Sequence, residues 1–203
     1  MGIRPFGYMP RAAVSLLLLV AWPVVSACFP APEPVTPAQK PQPKGGVHRY
    51  LPLEDKTVFS YETSTESGER GLLILEVRRP RAEHAELVVA GRARRLTVNA
   101  HDIAHVTGGF LLKEPLTVGA TFKGDFGKVT ITNVARSVTL PIGAYSGCLE
   151  TLEEAVTTEG EKRTTTVFCP DVGIALRETE AEQEGLRVSE RIALKSFGPL
   201  VRY

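Results

Sequence analysis

The chain is predicted to be all-β, an antiparallel meander of roughly ten strands forming a curved sheet, half-barrel or open barrel. Three observations predict it. Short apolar or alternating runs recur from residue 57 onward, glycine and polar turn signals separate them, and no segment shows an amphipathic helix with caps.

The runs follow one another closely. Thr57 to Thr63 and Gly71 to Val77 come first, then Ala85 to Val89 and Arg95 to Val98, with Ala90-Gly91 between the last two. Ile103 to Val106 ends at Gly108-Gly109, and Ala120 to Phe126 meets Lys128 to Ala135 at Asp125-Phe126-Gly127. Cys148 to Val156 and Arg163 to Phe168 flank Glu159-Gly160; Val172 to Thr179 and Leu186 to Leu194 flank Glu184-Gly185. In the last run Leu186, Val188, Ile192 and Leu194 share a face at period two, broken by Glu190. Such turn signals between such runs fit a succession of hairpins.

The segment ahead of these runs has a different composition. Arg4 and Arg11 precede or open the apolar run Ala12 to Val25, which ends in Val25-Ser26-Ala27-Cys28. A basic start, a short apolar core and small residues before a cut define a secretory signal. The run is 14 residues long and contains Pro23, whereas a spanning helix needs about 20 apolar residues. Val25-Ser26-Ala27-Cys28 resembles the bacterial lipobox. That resemblance implies that Cys28 becomes the mature N-terminus, with a diacylglyceryl group on its thiol and a further palmitate-type acyl chain on its amine. Several chains together hold a protein on a membrane. Translation from either Met1 or Met9 supplies a complete signal. Phe29 stands where aspartate marks inner-membrane retention in lipoprotein sorting, so the resemblance directs the protein to the outer membrane, facing the periplasm.

Three domains are therefore expected: residues 1–27 as the signal peptide, 28–47 as the lipidated Cys28 with a proline-rich linker, and 48–203 as the β-rich domain. Pro30, Pro32, Pro34, Pro37, Pro41 and Pro43 make the linker an extended spacer. Four of the 24 basic residues and one of the 23 acidic residues precede His48, leaving the domain a net charge of −2. Nothing in that balance favours nucleic acid.

Three stretches carry a further likeness. Gly109 to Phe122 resembles a "leucine, basic, Pro-Leu, Val-Gly, aromatic" segment, Leu140 to Leu149 a "Pro-Ala-Gly-aromatic" element, and Phe168 to Ala175 an "aromatic, Pro-Gly-Val-Gly" element. Together they are similar to a group of uncharacterised bacterial envelope lipoproteins. Ile142, Asp171 and Phe122 depart from the pattern. The resemblance implies a β-rich lipoprotein domain akin to the half-barrel of the LolA and LppX lipid carriers, and no activity.

Candidate chemistry is sparse. His101-Asp102-Ile103-Ala104-His105 spaces two histidines as zinc proteases do, but that motif needs a helix. On a strand the two lie roughly 13 Å apart, so both are expected to be solvent-facing, with no metal and no cofactor. Gly143-Ala144-Tyr145-Ser146-Gly147 lacks the spacing of a nucleophile elbow. Arg78, Arg79, Arg81, Arg92, Arg94 and Arg95 alternate with Glu83 and Glu86 and read as a solvated face. Glu150, Glu153 and Glu154 read as exposed strand residues.

Cys148 and Cys169 form the remaining even pair of an exported chain and are expected to be oxidised. With a four-residue loop Thr157 to Gly160, Val156 faces Glu161 and Cys148 faces Cys169. A tighter turn at Glu159-Gly160 separates the cysteines by two positions. The functional expectation is a non-catalytic binding or scaffolding lipoprotein, its partners the membrane through Cys28 and an envelope protein. The alternative is a carrier of an acyl chain or other apolar ligand in the curved sheet.

Overall fold

The computed structural model describes residues 46–157, 160–183 and 185–200. Cys28, the signal and the linker up to residue 45 lie outside the described residues. The described residues belong to one compact unit, Pro41–Tyr203.

A single helical turn, α1 (Val47–Tyr50), precedes twelve strands. They are β1 (Thr57–Thr65), β2 (Arg70–Arg81), β3 (His84–Val89), β4 (Arg92–Val98), β5 (Asp102–His105), β6 (Phe110–Lys113), β7 (Thr121–Lys123), β8 (Lys128–Leu140), β9 (Gly143–Thr157), β10 (Gly160–Cys169), β11 (Gly173–Gln183) and β12 (Leu186–Pro199). All twelve join one antiparallel sheet in the order β6-β5-β4-β3-β2-β1-β12-β11-β10-β9-β8-β7. Every strand pairs with its neighbour in sequence except across β6 and β7, and β12 returns to pair with β1. The meander expected from the sequence is thus present, folded back as a nearly closed barrel. The strand count exceeds ten partly because Phe110–Lys113, four residues without alternation, pairs with β5.

The turns behave as their residues dictate. Ala90 and Gly91 both take positive φ, 48° and 77°, which a two-residue hairpin between right-twisted strands requires. In the β9–β10 hairpin Val156 faces Glu161 and Leu149 faces Phe168. The same register brings Cys148 to Cys169, and the two are joined in a disulfide with Cα atoms 4.2 Å apart.

The antiparallel order puts the β1–β2, β3–β4, β5–β6, β7–β8, β9–β10 and β11–β12 turns at one end of the barrel. The other end is plugged. Val47, Leu51 and Leu53, from α1 and the residues after it, are buried there with Phe59, Val77, Leu149 and Phe168. The Asp171 N–H between β10 and β11 donates to the Arg49 carbonyl (2.7 Å). Each large side chain so buried contributes about 1.5–3 kcal/mol, and this end is where the core is concentrated.

The seam between β6 and β7 lacks backbone pairing, yet it is covered. Phe110 and Phe122 meet edge to face across it with ring centroids 6.3 Å apart. Gly109, at φ 86°, sits so near Gly124 that a Cβ there would collide with the Gly124 carbonyl. Beyond the core the long hairpins reach into solvent. Ile192 and Leu194 are partly and fully buried as the period-two pattern predicts, but Leu186 and Val188, nearer the β11–β12 turn, are exposed.

Candidate functional site

Strand alternation decides what faces the barrel interior. On β1 the inward side chains include Phe59 and Tyr61, on β2 Leu73, Leu75 and Val77, and on β3 Ala85 and Leu87. The same rule applied to β4 puts Arg94 in phase with buried Leu96 and Val98, and on β5 it puts His105 in phase with buried Ile103. Charged residues therefore enter the interior towards the turn end, where the apolar plug stops.

Between the plug and the turn end lies a cavity of about 700 Å³, within the roughly 300–1,000 Å³ common for small-ligand sites. Its lining is divided. Tyr61, Leu73, Leu75, Leu87, Val89 and Ile192 come from the four adjacent strands β3, β2, β1 and β12 and form a continuous, mostly apolar wall. Arg92 and Arg94 (β4), His105 (β5), Asp125 with Phe126 (the β7–β8 turn), Lys162 (β10) and Arg177 (β11) also line it, with Ala90, Leu111 and Ile174 among them. A smaller recess of about 50 Å³ shares Arg94, His105, Asp125 and Arg177 with the cavity and adds Glu153.

The charged groups differ in how far they are committed. Arg94 reaches across the unpaired β6–β7 seam to Asp125, Nη1 to Oδ2 3.4 Å. Glu153 Oε1 accepts the backbone N–H groups of Phe126 (2.8 Å) and Gly127 (2.9 Å), holding the β7–β8 turn against β9. Lys162 Nζ lies 4.3 Å from the centre of the Phe126 ring, a contact of about 0.5–1 kcal/mol where exposed. The Arg177 side chain makes no hydrogen bond or ion pair to another described residue. Burial lowers its pKa, with Glu153 and Asp125 opposing and Arg94 reinforcing. A guanidinium stays charged all the same.

His105 is 7% exposed. Its Nε2 is buried without a hydrogen-bond partner among the described residues, an omission that costs about 1–3 kcal/mol. Burial lowers the His105 pKa; Asp125 and Glu153 oppose that shift while Arg94 and Arg177 add to it. Tyr61, by contrast, is satisfied, its hydroxyl donating to the Ile174 carbonyl (3.1 Å) beside the same cavity. Burial pushes its phenol pKa well above the ordinary value.

A bulge decides that Arg177 faces inward. Phe168 pairs with Ile174 but Val167 with Leu176, leaving Ala175 as an extra residue on β11. Arg177 rather than Leu176 then stands opposite Thr166, and Ile174 and Arg177 both line the cavity. A second bulge, on β12, leaves Lys195 without a partner on β1, so that Leu194 opposes Tyr61. Without it Lys195 would take that inward place.

His105 is not solvent-facing, because it follows Ile103 on the inward side of a strand in a nearly closed barrel. His101, by contrast, is exposed and bonds Glu114 through Nδ1 (2.7 Å). Among the described residues no three His, Cys, Asp or Glu side chains are placed to hold one metal ion. The arginine series is in part a solvated face, with Arg78 on Glu76 and Arg95 on Glu86, but Arg92 and Arg94 line the cavity and Arg79 is held by the Leu53 and Ala82 carbonyls. Glu153 is inward rather than exposed, and Glu150 is engaged by Arg136 (3.2 Å) and Thr132 (2.8 Å). Glu154, paired with Arg163, is exposed as expected. Ser146 lies within β9 and does not line the cavity.

No family model matches the chain, and no curated protein matches it. Among solved structures, a Bacteroides fragilis protein classed as exported, with a YmcC-like fold, is 12% identical with a TM-score of 0.49, over 73% of this chain and 98% of that one. A Parabacteroides distasonis protein classed as a lipoprotein is 12% identical with a TM-score of 0.40 over the same shares.

Proposed function

We propose that the domain is a non-catalytic binding module that takes an apolar ligand, an acyl chain, into its barrel, and that Cys28 tethers it by lipid to the periplasmic side of the outer membrane. The observation that carries this reading is the cavity of about 700 Å³ with its continuous apolar wall. It favours the carrier over the scaffold, since a scaffold needs surfaces and loops but no internal void. Binding is favoured over turnover because, among the described residues, no hydroxyl or thiol lies within hydrogen-bond reach of His105 Nε2, and an adjacent base is a common means of activating a nucleophile.

The test uses the exported chain carrying Cys28→Ser, purified without detergent. Native mass spectrometry is expected to show a non-covalent adduct that solvent extraction removes and identifies as an acyl compound. Leu75→Arg, which places a charge on the apolar wall, should abolish the adduct while the barrel stays folded by circular dichroism. A ligand-free protein that also fails to take up hexadecyl-chain probes would refute the reading.

A further inference from the structure

We propose that the cavity receives an amphiphile with one anionic head group, a carboxylate or a phosphate, seated between Arg177 and His105 with its chain along the apolar wall. This rests on the ligand-binding reading and deepens it by naming the head group.

The charged side chains are confined to one part of the lining, where Leu111, Phe126 and Ile174 accompany them. The apolar wall is four contiguous strands, and the charged side chains come from the strands and turn that flank it. A ligand filling such a space must itself be apolar along one part and polar at another. The sign of the polar part follows from which charges are already satisfied. Asp125 is paired with Arg94, and Glu153 holds two backbone N–H groups. Arg177 has no such partner, although it lies among Glu153, Asp125 and Arg94. The four cations Arg92, Arg94, Lys162 and Arg177 outnumber the two carboxylates Asp125 and Glu153 around the cavity and its recess. A cationic head would meet that surplus.

The independent observation is His105. Its side chain is more than nine-tenths buried, lines both cavity and recess, and leaves Nε2 unpartnered. Buried polar atoms in a folded protein are rarely left so, and each such orphan calls for a partner. An oxyanion between the two side chains accepts from Nε2–H of the appropriate tautomer and from the guanidinium. Arginine is suited to this, since its planar fork matches both carboxylate and phosphate. A neutral head would leave Arg177 without a direct anionic partner.

The experiment compares four probes of equal chain length on delipidated, exported Cys28→Ser protein by titration calorimetry below their aggregation limits. They are hexadecanoate, hexadecyl phosphate, hexadecanol and hexadecyltrimethylammonium. At least one anionic probe is expected to bind roughly tenfold or more tightly than hexadecanol, the gain of one charge-assisted contact. Hexadecyltrimethylammonium should bind most weakly. Whichever anion binds tighter distinguishes a fatty acid from a phosphate-headed lipid.

Arg177→Gln should reduce the preference for the anion over hexadecanol, both measured on that variant, to roughly twofold. Arg177→Lys, which keeps the charge, should retain part of the preference and guards against a folding artefact. Equal binding of hexadecanol and both anions by the wild-type chain would overturn the head-group assignment while leaving the apolar reading intact. So would a preference that survives in Arg177→Gln combined with His105→Phe. Failure of all four probes would overturn both.

Discussion

His105 faces Asp125, Glu153, Arg94 and Arg177 from four different parts of the sheet, and its titration should register in stability. In the unfolded chain it titrates near the ordinary histidine value of about 6.5. Its folded pKa is lower, burial being the largest cause. Below about 6.5 the unfolded chain therefore binds the proton more readily. Stability from this residue is full above the unfolded value, declines as pH falls, and levels off below the folded value. His105→Phe is expected to flatten that part of the profile, measured by urea unfolding at a series of pH values. An unchanged slope in the variant would show that other groups carry it. The residue was legible as a histidine in phase with Ile103, but not as a cavity residue, because alternation alone does not say which face of a strand becomes the interior.

At the scale of elements, the β9–β10 hairpin and the seam are the informative parts. The disulfide closes a loop of sequence separation 21, for which the chain-entropy account predicts a contribution of about 3 kcal/mol. Cys148→Ala with Cys169→Ala should lower the unfolding free energy by that amount in denaturant titrations, and reductant should then have no further effect. Two free thiols in the oxidised wild-type protein would contradict the pairing. Gly109→Ala should cost about 1–3 kcal/mol, through its positive φ and the Gly124 carbonyl in its path. Gly108 also has positive φ but open space around it, so Gly108→Ala should cost less. Thermal unfolding of both variants tests whether the close approach across the seam matters beyond backbone preference.

For the whole molecule, the anchor and the barrel are expected to be separable. The proline-rich stretch from Pro30 to Pro43 is expected to be an extended spacer, and Val47 is already fully buried as part of the plug. Cys28→Ser should therefore move the protein from the detergent-rich to the aqueous phase in phase partitioning, with no change in the thermal midpoint of the barrel. A processed variant that still partitions with detergent would remove Cys28 as the anchor. The barrel itself combines a plugged end, a cavity, and a charged group towards the turns. That arrangement depends on β12 returning to β1, which brings side chains far apart in sequence, such as Arg94 and Arg177, to one space.

Local information in the sequence determined the strands, the turns and the meander, since period-two patterning and left-handed turn residues act within a few positions. It also determined the Cys148–Cys169 register once the β9–β10 loop length is given, because hairpin pairing is a local count. Only the tertiary structure decided closure between β1 and β12, the covered seam between β6 and β7, and the use of Val47, Leu51 and Leu53 as a plug. It alone decided that Arg177 faces the cavity. An extra residue at Ala175 reverses the inward phase of β11, and such a bulge is set by how two strands meet rather than by the preferences of either. Contacts between distant residues carry that information, and no short window of sequence contains them.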